Sequence, residues 1–380
     1  MKIVVAIDSL KGSLSSLEAG QAIEQGIRRV LPDAHICVRP MADGGEGTVE
    51  ALTLGMGGRL ETVSVTGPLG KPVNCTYGIL PKQQTAVIEM SGAAGITLVP
   101  QAEQNPLYTT TYGVGETIKD AMAKGSRHFI VGIGGSATND GGIGMLQALG
   151  FGMLGKDAKQ VPFGANGLNH LTAITDEHIL PELSECDFRV ACDVSNVLCG
   201  EKGCSAVFGP QKGATPEMIG QMDEWLAGYA ALTAVKYGKS YAKKPGTGAA
   251  GGLGFAFLSY LNAVLEPGVK IILEETCLED EIKDADLVVT GEGQLDGQSI
   301  MGKAPVGVAA IAKKYDIPVI AFSGCVSKDA VLCNTHGIDA FFPILRNIQT
   351  LPEAMKQENA AQNMRDTAEQ VFRLIRLLRA

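Results

Sequence analysis

Apolar runs and amphipathic segments alternate at both ends of this 380-residue chain. The run Lys2–Ile7 is continuous and β-branched, which is typical of a buried parallel strand. Ser15 and Glu18 then form a capping-box pattern, which predicts the start of a helix. Similar strands are predicted at 35–39, 286–290, 318–322 and 340–345. This alternation indicates the α/β class with a doubly wound parallel sheet.

The middle of the chain has a different pattern. Short alternating strands are predicted at 60–65, 73–80 and 86–90, and their spacing favours a β-meander. Further strands are predicted at 128–132 and 189–193. We therefore predict a discontinuous doubly wound domain of residues 1–65 and 240–380, with an inserted mixed α/β domain of residues 66–239.

Composition changes this picture through glycine and charge. The 48 glycines cluster beside Asp, Ser, Thr and Lys, which predicts loops where backbone approaches a ligand. A net charge of −9 argues against broad attraction to nucleic acid or anionic lipid. There is no apolar run of membrane-spanning length and no paired C-x-x-C motif, so reduced cytoplasmic thiols are favoured over a zinc site. We expect a cytoplasmic monomer or homodimer without a nucleic-acid or membrane partner.

Two loops near the start of the chain combine acids with glycines. The first lies between a strand and a helix N-terminus, a place that suits an anion, and carries Asp8, Ser9, Lys11 and Ser13. The second precedes the next predicted helix and places Asp43 and Glu46 among three glycines, where a carboxylate is available for Mg²⁺. An ordinary turn remains the alternative interpretation for each loop.

The loop with the largest set of reactive side chains follows the strand at 286–290. It carries two carboxylates, a hydroxyl and an ammonium group, which are Glu292, Asp296, Ser299 and Lys303. Gly297 to Lys303 fits G-x-x-x-x-G-K, but Ala304 replaces the Ser or Thr that would bind Mg²⁺ in a P-loop. The loop is therefore not a P-loop, although its groups suit phosphoryl transfer.

The middle domain contributes a Gly-rich loop after the strand at 128–132. It formally matches the dinucleotide fingerprint G-x-G-x-x-A, but its polar residues favour a phosphate or nucleotide loop. Its candidate members are Gly134, Gly135, Ser136, Thr138, Asn139 and Asp140. Asp193 ends another strand, and Lys212 lies beside a glycine before a helix, where a phosphate contact and a surface lysine are both possible.

Five of these segments, in order over nearly the whole chain, resemble the class I glycerate kinase family. They begin at Asp8, Ala42, Gly132, Phe208 and Thr290. The resemblance implies an ATP- and Mg²⁺-dependent kinase that converts D-glycerate to 2-phosphoglycerate. It also implies a flavodoxin-like domain, a second domain with a barrel-like sheet, and an active site in the cleft between them.

Site roles are assigned from the chemistry of the side chains and their places in the loops. Asp296 is the first choice for the general base and Asp193 the second, because Asp296 shares its loop with a lysine. Substrate or phosphate contacts are expected from Asp8, Ser9, Lys11, Ser13, Lys212, Ser299 and Lys303. The nucleotide loop comprises the six residues from Gly134 to Asp140 named above, joined by Glu292, and the metal ligands are Asp43 and Glu46.

Other functions stay open at this point. The 3-hydroxyl, or a related sugar acid, could accept the phosphoryl group. An NAD-dependent oxidoreductase built on the loop at 132–137, or a sugar-acid sensor without catalysis, is a more remote alternative.

Overall fold

The computed structural model describes residues 1–42, 44, 45 and 47–379. The strands are β1 (Lys2–Ile7), β2 (His35–Pro40), β3 (Arg59–Thr66), β4 (Pro72–Leu80), β5 (Thr85–Glu89), β6 (His128–Gly132), β7 (Gly152–Leu154), β8 (Ala173–Thr175), β9 (Asp187–Ala191), β10 (Val264–Glu266), β11 (Leu287–Leu295), β12 (Val319–Val326) and β13 (Ala340–Pro343). The helices are α1 (Ser16–Arg28), α2 (Thr48–Gly55), α3 (Ser91–Ala94), α4 (Tyr112–Ala123), α5 (Ile143–Ala148), α6 (Ala165–His170), α7 (Cys204–Phe208), α8 (Pro216–Tyr237), α9 (Ala249–Tyr260), α10 (Gly268–Glu275), α11 (Leu278–Ile282), α12 (Ala304–Lys313), α13 (Leu351–Ala354) and α14 (Gln357–Arg379).

These elements form two compact units. Unit 1 contains the described residues of Met1–Asp43, Glu50–Met56 and Val269–Ala380. Unit 2 contains the described residues of Gly44–Val49 and Gly57–Gly268. Among the described residues, no helix is long and apolar enough to cross a membrane.

Unit 1 is built on a five-stranded parallel sheet. Its order is β13-β12-β11-β1-β2, and all four neighbouring pairs are parallel. If the five strands are renumbered 1 to 5 along the chain and the sheet is followed from β2 to β13, the order is 2-1-3-4-5, as in flavodoxin-like sheets. The predicted doubly wound sheet is confirmed, and its topological switch point lies between β1 and β11.

Helices cover this sheet because its central strands are apolar on both faces. Ile3, Val5 and Ile7 of β1 pack in one core with residues of α1 and α14, while α12 contacts β1 and β11. The predicted capping box at Ser15 and Glu18 is present and starts α1. This packing fixes the carboxyl ends of β1 and β11.

Unit 2 is built on a six-stranded mixed sheet of order β10-β9-β6-β5-β4-β3. Strands β3, β4 and β5 form the predicted antiparallel meander, and β5, β6, β9 and β10 run parallel. The described residues show no pairing between the edge strands β3 and β10. The barrel-like closure implied by the family resemblance is therefore not confirmed.

The observed structure differs from the predicted one at two places. Unit 2 takes the described residues of 44–49 as well as 57–65 and 240–268. The last two ranges belong to it because β3 pairs with β4 and β10 pairs with β9. Strand β11 runs on to Leu295 through part of the predicted loop. Helix α9 has left-handed backbone at 250–252.

Candidate functional site

A pocket of about 450 Å³ opens in unit 1. It lies beyond the carboxyl ends of β1 and β11, the switch point where doubly wound sheets bind ligands. Its lining comprises Asp8, Ser9, Leu10, Lys11, Ser13, Glu292, Gly293, Gln294, Lys303, Gly324, Cys325, Ile344, Leu345, Leu351, Ala354, Met355, Ala360 and Asn363. Six of the predicted site residues therefore share one pocket.

The segment after β1 supplies the first group of polar side chains. Asp8 follows the strand directly and is 6% exposed, and its Oδ1 accepts the Ser9 N–H at 2.7 Å. Leu10 and Leu14 close the loop by exchanging backbone hydrogen bonds of 2.9 and 3.0 Å. Gly12 sits in this loop at φ 76°, a conformation that favours glycine. The closed loop presents Lys11 to the pocket.

Glu292 enters the pocket from β11 rather than from a loop. Its Oε1 accepts a hydrogen bond from Ser299 Oγ at 2.5 Å, and its Oε2 lies 3.6 Å from Lys303 Nζ. Burial raises the pKa of the Glu292 carboxyl, while Ser299 and Lys303 act in the opposite direction. A buried carboxyl with a charged partner in a pocket is a candidate functional group, and here it also orients Lys303.

Asp296, the predicted general base, does not line this pocket. Its Oδ1 accepts the backbone N–H groups of Gln298 at 2.8 Å and Ser299 at 3.2 Å. Those bonds form a local side-chain-to-backbone turn that leads into the short 3₁₀ helix Ser299–Met301, a role that Asp commonly fills. Ser299 is buried and bonds to Glu292, so it supports the pocket from behind.

A second group of predicted residues lies at the carboxyl edge of the unit 2 sheet. Gly134 and Gly135, which follow β6, are exposed, and Ser136 is half-buried. Asp193 follows the neighbouring strand β9; it is exposed, and its Oδ1 accepts the Gly268 N–H at 3.0 Å. Gly44 reaches the same edge, because a Cβ on Gly132 would lie 2.5 Å from the Gly44 carbonyl oxygen. The predicted metal ligands Asp43 and Glu46 lie outside the described residues.

The rest of the Gly-rich loop is turned into the protein. The side chains of Thr138, Asn139 and Asp140 are completely buried. Asp140 accepts hydrogen bonds from Thr111 N–H at 2.9 Å, from Thr111 Oγ1 at 2.8 Å and from Gly142 N–H at 3.0 Å. Burial raises the pKa of Asp140, and these hydrogen bonds oppose the rise. The accessible part of the loop is therefore 134–136.

Lys212 fixes that accessible tip from inside. It is 2% exposed, and its Nζ donates to Ser136 Oγ at 2.8 Å and to the Thr138 carbonyl at 2.6 Å. Burial lowers the pKa of Lys212 to about 8. We expected a phosphate contact, whereas the structure uses this ammonium group to hold the loop.

The apolar wall of the unit 1 pocket was missed from the sequence. It is formed by the segment after β13 and by α13 and α14, more than 330 residues after Asp8. The available signal was that Leu345, Leu351 and Met355 are apolar residues with mostly polar neighbours in the sequence. In the structure they are exposed. Exposed apolar groups that line a pocket indicate a ligand surface.

Comparison with known proteins identifies the family to which this chain belongs. A profile described as the glycerate kinase family matches residues 3–376. The chain is 48% identical to a glycerate kinase from Haemophilus influenzae over 99% of both chains. It is 48% identical to the glycerate 2-kinase of Escherichia coli over 94% of this chain and 93% of that protein.

A solved structure is similar to this chain over its whole length. The crystal structure of a candidate glycerate kinase 2 from Salmonella typhimurium LT2 superposes with a TM-score of 0.93 at 47% identity, covering 100% of this chain and 99% of that chain. Sequence and fold agree over the whole length, and the chain belongs to the glycerate kinase family.

Proposed function

We propose that this protein is a kinase that transfers the γ-phosphoryl group of ATP to the 2-hydroxyl of D-glycerate. One observation carries the proposal: two lysines and two carboxylates share one pocket at the switch point of a flavodoxin-like sheet. Phosphoryl transfer depends on positioning and on stabilising charge on phosphate oxygens. Lys11 and Lys303 supply that positive charge in a chain of net charge −9. Family membership and the E. coli relative support the choice of acceptor.

Mg²⁺ would accompany ATP, and the pocket residues fit it. A kinase Mg²⁺ is bound by one or two carboxylates together with substrate phosphates and water. Asp8 and Glu292 offer such oxygens beside Lys11 and Lys303. No cluster of three or more metal-ligating side chains occurs in the part of the chain that the structure describes; in this proposal the nucleotide phosphates and water supply the remaining ligands. When bound, the ion would neutralise phosphate charge.

The role of general base passes to Asp193 in this proposal. Asp296 lies outside the pocket and accepts backbone N–H groups of its own turn. Asp193 is exposed at the carboxyl edge of the unit 2 sheet, beside the strand that carries the Gly-rich loop. A carboxylate that orients a hydroxyl and accepts its proton must be accessible to substrate. Asp193 meets that requirement.

The test is an ADP-release assay with Mg·ATP and purified protein. D-Glycerate should start ADP release, and L-glycerate or glycerol should give much less. In proton-coupled ³¹P spectra, a 2-phosphate couples to one carbon-bound proton and gives a doublet, while a 3-phosphate couples to two and gives a triplet. A triplet would move the reaction to the 3-hydroxyl.

Two outcomes would reject the proposal. Binding of NAD(H) without any effect of Mg·ATP would favour an oxidoreductase. A thermal shift with glycerate but no ADP release would favour a sensor, because a ligand that binds only the native state raises the melting temperature whether or not it reacts.

A further inference from the structure

We propose that the apolar end of the unit 1 pocket binds the adenine base of ATP and that Asn363 selects adenine over guanine. The inference rests on the proposed phosphotransfer for its choice of ligand. It follows from three observations on this pocket: its volume, the different elements that supply its charged and its apolar lining, and one amide without a side-chain hydrogen bond among the described residues.

The volume is too large for glycerate alone. Glycerate has only seven non-hydrogen atoms, whereas pockets of about 300–1,000 Å³ hold ligands of drug size. The pocket measures about 450 Å³, which suits a nucleotide.

Its charged and apolar side chains come from different elements. The charged groups are Asp8, Lys11, Glu292 and Lys303, from the ends of β1 and β11 and the start of α12. The segment after β13 and the helices α13 and α14 supply apolar lining, which consists of Ile344, Leu345, Leu351, Ala354, Met355 and Ala360. A nucleotide has the same division, with an anionic phosphate chain and a flat base. The lysines would therefore contact phosphates, and the apolar residues would contact the base.

Part of the apolar wall is exposed in this structure, and covering that part would favour binding. Leu351 is 71% exposed and Met355 is 36% exposed. Covering apolar surface with a base removes it from water, which favours binding. An aromatic ring can lie flat on such side chains, whereas a glycerate ion would desolvate its carboxylate there without a partner.

The wall is attached to the loop that carries Lys11. A Cβ on Gly12 would lie 2.8 Å from Met355 Cε, so the β1–α1 loop and the end of α13 are in contact. Gln357 at the start of α14 bonds to Glu18 of α1, and α14 packs closely along α1. Base and phosphate subsites thus belong to one rigid framework within unit 1.

Asn363 is the polar exception in this wall. It is half-buried on α14, lines the pocket, and makes no side-chain hydrogen bond with any described residue. An amide presents one acceptor and donors together, which matches the N6 amino group and N7 of adenine. Guanine presents two acceptors on the corresponding edge, so the amide can satisfy only one of them. The donor and acceptor groups of Asn363 therefore match adenine better than guanine.

The first experiment replaces that amide. Asn363→Leu should weaken ADP binding by about tenfold to a hundredfold, the range for losing a bidentate amide–adenine pair. Binding of GDP should change little, so the preference for ADP over GDP falls, as measured by calorimetry with Mg²⁺. Gln362→Leu is the matched control, because Gln362 is the neighbouring amide, is exposed and bonds to Asp366. Equal losses for ADP and GDP would overturn the role of Asn363.

The second experiment tests the apolar wall with a change at a highly exposed position. Leu351→Asn should weaken ADP binding severalfold and leave tripolyphosphate binding unchanged, because only the base contacts this wall. Leu377→Asn is its control, since Leu377 is 72% exposed against 71% for Leu351 and does not line the pocket. A higher KM for glycerate with unchanged ADP binding would assign the wall to glycerate and refute the inference.

The two proposals can fail separately. ADP binding that depends on Asn363 and Leu351, without phosphorylation of glycerate, would reject the proposed function and keep the base pocket. If glycerate is phosphorylated and neither variant changes the nucleotide binding constants, the proposed function stands and the base pocket is rejected.

Discussion

Replacing Lys212 by Met should change the way the stability of unit 2 depends on pH. The folded protein holds the pKa of Lys212 near 8, against an ordinary value of 10.5. Between these two values the unfolded chain binds more protons than the folded chain, so stability rises with pH. The contribution of Lys212 to the free energy of unfolding is fully present above pH 10.5, where the side chain is neutral in both states, and it is lost as pH falls through about 8. In Lys212→Met this titration is absent, whereas every other titration remains.

The size of the effect follows from the two pKa values. Between pH 7.5 and 9.5 the free energy of unfolding of the wild type should rise by about 2 kcal/mol relative to Lys212→Met, by linkage of a single group. The variant also loses the hydrogen bonds to Ser136 and Thr138. That loss shifts the difference at every pH and does not alter its slope.

The assay is urea unfolding followed by tryptophan fluorescence under reducing conditions. The chain has one tryptophan, Trp225, which packs against the core of unit 2; the signal therefore reports this unit. A difference between wild type and variant that is constant from pH 7.5 to 9.5 would refute the reasoning, because it would mean that the Lys212 ammonium is not desolvated.

Three further predictions concern the two sites and the frame that carries them. Lys11→Ala and Lys303→Ala should each raise the KM for ATP about tenfold or more in steady-state assays, since charge-assisted contacts contribute about 1.5–3 kcal/mol; near-normal constants in both would remove the phosphate assignment. Asp193→Asn should lower kcat at least about a hundredfold with little change in ADP affinity, and a collapse of ADP affinity would make Asp193 a nucleotide or metal contact instead. Ser15→Ala removes the cap of α1 and should destabilise it by about 1 kcal/mol, seen as faster amide hydrogen exchange in the first turn than in wild type, and unchanged exchange would contradict the capping role.

Local patterns predicted much of the fold. The capping box at Ser15, the parallel strand Lys2–Ile7 and the meander were all readable from sequence, because each depends on neighbouring residues. The division into units was less accurate at its edges, since whether β3 joins one sheet or another depends on its pairing with β4. Pairing between distant strands leaves little trace in a single sequence.

The candidate site was predictable in its residue types and less so in their positions. Asp296 and Lys212 carry the right chemistry, yet Asp296 bonds to the backbone of its own turn and Lys212 is buried. An Asp in a Gly-rich turn often accepts the backbone N–H groups two and three residues later, so this use of Asp296 could have been considered. No local pattern could reveal that Lys212 reaches Ser136, because 76 positions separate them.

The sheet order of unit 1 also has a consequence for synthesis. The first strand pairs with β11, and the Lys2 N–H bonds to Asp286, 284 positions later. At about 5–20 residues per second, a ribosome needs about 15–60 s to make that stretch. During this time the apolar strand β1 lacks one of its two neighbours, while most of unit 2 is made as one continuous segment. Unit 2 can therefore fold first. Until β11 emerges, the unit 1 sheet is incomplete and the unpaired edge of β1 is open to aggregation.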